Sequence, residues 1–505
     1  MMTILTSRNC PHQRDTITSA HFHLTSSQPG LNSHPYQLRH HKGVNVKHIT
    51  ILIAFTLLSL GLAASELDGQ WNGMLDIYGT QLRIVVHVTE TDSGLVATLD
   101  SPDQGAYDIP ADSISFKDGE VEIVLGSLKA SYKGTLEGTK ISGTFRQAWL
   151  ELPLEFTREE IAAPSYNRPQ TPEEPYPYVS RDVSFVNPES GNKLAGTFTL
   201  PSEEGVYPAV VLVSGSGGQD RNEELMNHKP FLVLSDYLTR AGIAVLRYDD
   251  RGIGESEGDF LTATTYDLMS DALSAVNWLR EQPQVVKTGI AGHSEGGIIA
   301  PMAAMMDPAI DFIVLLAGTG IPGDQLLMRQ GELVMRAMGT PEEEITRTLA
   351  FNRKVYDLIL STTDETEIRA QLDLLVEAAM ADSLTNFAPG YTVEEIQESM
   401  ASQLISPWMI NFIRLDPRVF LREIQTPVLA LNGSRDLQVP ALENLGGITS
   451  ALLEAGNDSF KVIEYYGLNH LFQFSQTGSP SEYGSIEETF NEAVMKDIAE
   501  WILGR

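Results

Sequence analysis

The chain of 505 residues has almost no cysteine, since Cys10 is the only one. A single thiol cannot form an intramolecular disulfide, so the fold must hold together without cross-links. Cysteine chemistry is therefore excluded from the core. An exported protein with this composition would not depend on oxidation to fold.

Basic residues are also scarce, because 35 Lys and Arg stand against 67 Asp and Glu and give a formal net charge of −32. A surface of this sign repels the phosphates of nucleic acids and the headgroups of anionic membranes. Both are therefore excluded as partners. We read the acidity as a solvated surface, and the composition leaves the oligomeric state open.

Recognisable cofactor and metal motifs are missing as well. The chain has no H-E-x-x-H and no cluster of His, Asp and Glu at metal-ligand spacing. The run 318–323 fits G-x-G-x-x-G, but it follows a late predicted strand and has a proline where a phosphate-binding turn would lie. We expect neither a metal nor a cofactor.

Long apolar runs are absent except near the start of the chain. Residues 49–64 carry no charge, follow Lys47-His48 and end in small residues, which is typical of a signal peptide at 44–65. The run is shorter than the roughly 20 residues of a membrane span, and no cysteine follows that could carry a lipid anchor. We expect a periplasmic or secreted protein without a stable membrane anchor. Residues 1–43 are either an extension from a wrongly assigned start codon or a disordered basic arm.

Residues 66–160 predict a small all-β domain, a meander or barrel. Short apolar stretches recur between turn signals such as Lys117-Asp118-Gly119, at the spacing of antiparallel strands. The predicted strands are 81–88, 94–99, 121–125, 130–136, 141–145 and 150–156. Residues 161–178 are rich in proline and predict a linker.

Residues 179–505 predict an α/β domain with a doubly wound, mostly parallel sheet, because its apolar strands are continuous and alternate with helical patterns. We assign its core to 179–320 and 421–505. Residues 321–420 are too long for a plain crossover and predict an inserted helical cap, with helices at 324–338, 341–360, 365–380 and 393–404. The capping box Ser485 with Glu488 predicts the start of the last helix, whose core stripe would include Phe490.

The most informative motif is Gly292-His293-Ser294-Glu295-Gly296, between an apolar run and a small-residue helix pattern. A strand, sharp turn and helix with serine at the apex is the nucleophile elbow, which needs glycines where strand and helix pass closely. The sequence therefore predicts Ser294 as a nucleophile.

Only one histidine follows Ser294, and it is His470, just after a strand-like run. Asp436 also follows a strand pattern, so the sequence predicts Asp436 as the carboxylate that orients the histidine. The order Ser, Asp, His is that of α/β-hydrolases. Asp324 is the alternative acid.

A Gly/Ser-rich loop, Ser214-Gly215-Ser216-Gly217-Gly218, follows another apolar strand pattern. In this position a loop supplies one oxyanion-hole N–H, and the residue after the nucleophile supplies the other. The predicted donors are the backbones of Ser216 and Glu295.

From about Val179 to Arg505 the chain resembles bacterial carboxylesterases of the EstD type, in the serine aminopeptidase-like group of α/β-hydrolases. Besides the elbow, the matching segments are 194–197, 200–201, 214–221, 228–231, 247–256, 406–408 and 436–440. Gly218 departs from the family, which often has proline there. The resemblance implies carboxylesterase activity on short acyl chains.

The sequence thus predicts an exported serine esterase acting on a small-molecule ester. His228 and Trp408 are possible substrate contacts; the alternatives are a buried structural role for His228 and packing within the cap for Trp408. Two alternatives stay open: a serine peptidase of the aminopeptidase type with the same triad, because specificity would lie in cap contacts, and a non-catalytic protein that binds through its β domain.

Overall fold

The computed structural model describes residues 66–77, 80–91, 94–104, 106–128, 130–147, 150–162, 166–381 and 392–505. The expected signal peptide and the extension before it lie outside these residues. Residues 69–505 form one compact unit, whose fold is given below.

The first part of this unit is an antiparallel sheet, a half-barrel in the order β4-β3-β2-β1-β9-β8-β7-β6-β5. Alternation of buried and exposed residues along each strand builds this sheet. In the strand Glu120–Leu125, for example, the buried residues are Val121, Ile123 and Leu125, and the residues between them are exposed. Its described strands are β1 Gly69–Ile77, β2 Thr80–Thr91, β3 Gly94–Ser101, β4 Ala106–Pro110, β5 Ser113–Lys117, β6 Glu120–Leu125, β7 Ala130–Glu137, β8 Lys140–Gln147 and β9 Leu150–Thr157.

The second sheet has the order β10-β11-β13-β12-β14-β15-β16-β17. The pairs β10–β11 and β11–β13 are antiparallel, and the pairs from β13–β12 to β16–β17 are parallel. This is the α/β-hydrolase topology that the sequence predicts. The strands are β10 Val179–Val186, β11 Lys193–Leu200, β12 Tyr207–Val213, β13 Ala244–Tyr248, β14 Val285–His293, β15 Phe312–Leu316, β16 Val428–Gly433 and β17 Phe460–Tyr465.

Helices cover both faces of this sheet. Alternate residues of one strand enter different cores: Val211 packs with α2, α3 and α10, whereas Val210 packs with α1 and α11. A sheet buried on both sides explains why the strands read as continuous apolar runs. These helices are α1 Pro230–Arg240, α2 Thr265–Arg280, α3 Gly296–Met306, α10 Ala441–Glu454 and α11 Glu492–Leu503.

The cap is inserted between β15 and β16, and its helices bury an apolar core of their own, centred on Val355, Ile359, Ile368 and Leu372. The described cap helices are α4 Gly323–Ala337, α5 Glu342–Ser361, α6 Glu365–Ala381, α7 Val393–Leu404, α8 Pro407–Arg414 and α9 Pro417–Leu421. No helix among the described residues is both long and apolar enough to cross a membrane.

One helix start differs from its prediction. Ser485 ends a short 3₁₀ turn and donates to Glu482 O, so it caps no α-helix. The last helix begins at Glu492, where the Asn491 side chain accepts the N–H of Ala493. The predicted helix start was wrong because asparagine is an equally good N-cap residue, and Asn491 lies directly before the helix.

Candidate active site

Ser294 lies in the turn between β14 and α3, with φ of +53°, a left-handed conformation that is strained for any residue but glycine. Its backbone N–H donates to Leu316 O of β15 at 2.8 Å, which holds the turn in place. The strain projects the side chain from the sheet edge at which the parallel strands end.

Glycines make this turn possible. A Cβ at Gly292 would overlap the backbone of Gly296, and a Cβ at Gly296 would overlap Val213 O at the end of β12. Strand and helix therefore pass closer than any side chain allows. The loop at 214–218, called the oxyanion loop from its predicted role, begins directly beside the elbow.

Asp436 and His470 come together in the loops after β16 and β17. Asp436 Oδ2 lies 2.8 Å from His470 Nδ1, and Asp436 Oδ1 accepts the backbone N–H groups of Gln438 and Val439, each at 2.8 Å. Both residues are buried, at 3% and 4% exposure. Because Nδ1 is engaged by the carboxylate, Nε2 is the nitrogen left to take a proton.

The nucleophile elbow is linked to His470 through the residue before the serine. His293 Nε2 lies 3.0 Å from the backbone oxygen of His470, and the two imidazole rings have centroids 4.7 Å apart. No described residue forms a hydrogen bond with the Ser294 hydroxyl. Hydrogen bonds of this kind are often formed only once substrate is bound.

The oxyanion loop lies against the serine, since a Cβ at Gly215 would be 3.2 Å from Ser294 Cβ. Among the described residues, the backbone N–H groups of Ser216 and Glu295 have no protein acceptor. Two unpaired donors beside the nucleophile can receive an oxyanion. Their assignment as the oxyanion hole stays a prediction.

Two buried acids hold this loop in shape. Asp250 accepts the Ser214 hydroxyl at 2.9 Å and the Gln219 N–H at 2.9 Å, and Glu223 accepts the Gly215 N–H at 2.8 Å. Burial raises the pKa of Asp250 to about 8, with the charges of Glu295 and Glu223 adding to burial and the hydrogen bonds opposing it.

Glu295 turns its side chain away from the serine and into the protein, where it is 2% exposed. It accepts the hydroxyl of Thr265 at 2.7 Å and the indole N–H of Trp408 at 2.9 Å. Burial raises its pKa, and these two hydrogen bonds oppose the rise. Trp408 also stacks on Phe412 at 5.0 Å, so α8 of the cap is attached directly to the elbow. Whether Trp408 contacts substrate stays a prediction.

His228 has a placement that argues against the expected substrate contact. It is fully buried, and its ring nitrogens lie 2.9 Å from Thr489 Oγ1 and 3.0 Å from Tyr483 O. Burial lowers its pKa to about 4. The sequence showed that a histidine was present but not that it lies inside the fold. Asp324, the alternative acid, instead pairs with Arg353 at 2.8 Å.

Sequence reasoning missed Glu223, His293 and Asp250. His293 is the variable position of the elbow motif, which carries no signal about its contacts. Glu223 lies in a loop, and its left-handed backbone gave no recognisable pattern. Within the described part of the chain, no group of three or more His, Cys, Asp or Glu side chains is placed to hold a metal ion.

The family model for X-Pro dipeptidyl-peptidases (S15 family) matches residues 190–444. Esterase EstD of Thermotoga maritima is 26% identical over 402 residues, which cover 79% of this chain and 81% of the esterase. A mitochondrial palmitoyl-protein thioesterase of Homo sapiens is 26% identical over 130 residues, covering 26% of this chain and 39% of that protein.

Solved structures are similar at lower identity. A Pyrococcus furiosus esterase is 15% identical with a TM-score of 0.41, covering 68% of this chain and 99% of that one. The strand order of this chain itself shows the α/β-hydrolase topology.

Proposed function

The chain belongs to the X-Pro dipeptidyl-peptidase family (S15) and is an ester hydrolase with the α/β-hydrolase fold, and from this premise we propose that it is an exported enzyme that cleaves short-chain carboxylic esters with Ser294, His470 and Asp436. The observation that carries the proposal is the 2.8 Å contact between Asp436 and His470, beside a serine held at φ +53°. Each of these groups follows the end of a different strand. This arrangement supports acyl transfer through a covalent intermediate.

In the proposed reaction, His470 Nε2 removes the proton of Ser294 while the serine oxygen attacks the ester carbonyl. Asp436 fixes the imidazole by its contact with Nδ1 and stabilises the imidazolium that forms. The backbone N–H groups of Ser216 and Glu295 hold the oxyanion. His470 then protonates the leaving alcohol, and a water molecule repeats the sequence on the acyl-enzyme.

The buried acids around the oxyanion loop favour a preorganised site. Asp250 and Glu223 fix the loop before substrate arrives, so no reorganisation is needed as charge develops on the carbonyl oxygen. Burial raises the pKa of Asp250, as do the charges of Glu295 and Glu223, so the surroundings of this loop disfavour a further negative charge on Asp250.

A peptidase is the second candidate, and the match to the X-Pro dipeptidyl-peptidase family favours it. The same serine, histidine and aspartate would cleave an amide, with His470 protonating an amine in place of an alcohol. The two activities differ in what the cap recognises and in the leaving group.

The test measures cleavage of two sets of substrates by the full chain. The first set is 4-nitrophenyl esters with acyl chains of two to twelve carbons, and the second is the 4-nitroanilides of Ala-Pro and Gly-Pro. We expect kcat/KM to be highest for the short esters. Ser294→Ala should abolish every activity, while Ser402→Ala, which alters an exposed serine on α7, should change none. Faster cleavage of the dipeptide anilides would favour the peptidase. Ester cleavage that survives Ser294→Ala would overturn the proposal.

A further inference from the structure

Glu223 connects two parts of the site that are far apart in the sequence. Its Oε1 accepts the backbone N–H of Gly215 at 2.8 Å and lies 2.8 Å from His293 Nδ1. Gly215 precedes the predicted oxyanion donor Ser216, and His293 precedes Ser294. Glu223 itself has φ of +53°, so a strained backbone places this carboxylate between the two segments.

The other edge of the His293 ring reaches the third part of the site. Its Nε2 lies 3.0 Å from the carbonyl oxygen of His470, whose own ring is engaged by Asp436. Together, Glu223 and the His293 ring therefore link the oxyanion loop, the nucleophile elbow and the main chain of the base. His293 and Glu223 are 6% and 7% exposed, and both ring nitrogens of His293 are already engaged by protein groups.

Both ring nitrogens of His293 face acceptors. A carbonyl oxygen can only accept a hydrogen bond, and an ionised carboxylate can only accept as well. A neutral imidazole has a single N–H and would leave one of these contacts without a proton. An imidazolium satisfies both, and its charge is balanced by Glu223.

The surrounding charges agree with this protonation state. Burial alone would lower the pKa of His293, but the charge and hydrogen bond of Glu223, the carbonyl of His470 and the charge of Asp436 together raise it. Asp250 is a further acid of the same region, and the charges of Glu223 and Glu295 both act on it. The group that would oppose the charge is the ring of His470 when it is protonated.

We propose that Glu223 and His293 form a buried carboxylate–imidazolium pair that positions the oxyanion loop, the nucleophile elbow and the main chain of His470 relative to one another. This rests on the proposed function, because the positioned groups are those of the esterase site. Both are positioning residues and act through the groups they hold. When His293 loses its proton, one of the two ring contacts is lost and the site loosens.

Glu223→Gln tests the pair by removing its charge while keeping an amide oxygen for the Gly215 N–H. Since misplacing catalytic groups by about 1 Å costs roughly 100-fold, we expect kcat for a short ester to fall about 10- to 100-fold with KM changed less than about threefold. The alkaline limb of the pH–kcat profile should move towards neutral pH, because His293 without its counter-charge loses its proton more readily.

Asp271→Asn is the matched control, since Asp271 is also a buried acid paired with a cation, Arg251, at 2.7 Å. It should lower the melting temperature without moving the alkaline limb. If Glu223→Gln behaves like this control, with kcat and limb unchanged, the proposal is overturned.

A second measurement separates the pair from the ester chemistry. The full chain labelled with ¹⁵N-histidine gives the protonation of each ring nitrogen by NMR, and His293→Asn assigns the signal. We expect both nitrogens of His293 to be protonated at pH 7. One unprotonated nitrogen would overturn the pair even if the enzyme is an esterase, and two protonated nitrogens would support it even if the esterase assignment fails. The wild-type spectrum also decides the matter if Glu223→Gln does not fold.

Discussion

At the scale of single residues, the site is defined by which buried groups carry charge. Asp436 is stabilised as an acceptor by two backbone N–H groups in addition to His470. Asp250 has a raised pKa because it is buried near other acids. His228 is buried in the neutral form, with its pKa lowered to about 4. Each protonation state follows from burial and the nearest charges.

His228 gives a prediction about stability. Because its folded pKa lies below the unfolded value of about 6.5, its neutral form supports the fold above that pH, and the unfolded state takes up the proton first as pH falls towards 4. Linkage predicts that the free energy of unfolding falls by about 2 kcal/mol between pH 7.5 and pH 5. The free energy of unfolding of the His228→Gln protein should fall correspondingly less over this pH range, as measured by urea unfolding. Equal losses in the two proteins would contradict the assignment.

Residues with a motif could be predicted, and residues without one could not. Ser294, Asp436 and His470 were predicted from strand-end positions and chain order, and the structure places the side chains of the last two 2.8 Å apart. Glu223 was missed because its role depends on a loop conformation. For His228 the sequence leaves a substrate contact and a buried structural role open, because the same residue type can serve in a core or a cleft, and only packing distinguishes the two.

At the scale of elements, the elbow depends on the close passage of β12, β14 and α3. Gly296→Ala would push a methyl group into Val213 O. We expect it to destabilise the protein by about 2–4 kcal/mol, since overpacking against rigid backbone has no side chain to give way.

The matched control is Gly446→Ala on α10, where an added Cβ meets nothing within 4 Å. Alanine in an open helical position should raise stability by up to about 1 kcal/mol. Thermal melting of both variants measures the difference. A Gly296→Ala protein as stable as wild type would contradict the close packing of the elbow.

The cap gives a prediction about specificity through Trp408. Trp408→Ala removes the stack on Phe412 and the bond to Glu295, and it should alter the ratio of kcat/KM for long and short acyl esters by roughly tenfold. Trp408→Phe keeps a ring without the N–H and should retain the wild-type preference. Losses in equal proportion for every ester would show that Trp408 does not line the acyl pocket.

Elements with strong periodicity could be predicted closely. The helix expected at 393–404 is Val393–Leu404, and the one expected at 365–380 is Glu365–Ala381. Two shorter cap helices, Pro407–Arg414 and Pro417–Leu421, were not predicted because one or two turns are too short to show a period. Strand β1 was also missed, since its sequence Gly69–Ile77 interrupts the alternation with glycine.

At the scale of the whole molecule, the chain joins an antiparallel half-barrel to a hydrolase domain and has a strongly negative charge. The domain boundaries and the route of export stay predictions.

Export is tested by N-terminal sequencing of protein recovered outside the cytoplasm, and the sequence of that protein should begin within a few residues of Glu66. Deletion of residues 49–64 should keep the protein in the cytoplasm. An exported protein with an intact Met1 would contradict the signal peptide.

The central claim is that Ser294, His470 and Asp436 act as one catalytic unit, and a double-mutant comparison of kcat on a short ester tests it most directly. Ser294→Ala and His470→Ala should each lower kcat by roughly 10⁴- to 10⁶-fold, and the double variant should lose little more than either alone. Asp436→Asn should cost on the order of 10⁴-fold, because it disturbs the tautomer and orientation of the base. Losses that multiply in the double variant, or full activity in folded His470→Ala, would contradict the triad.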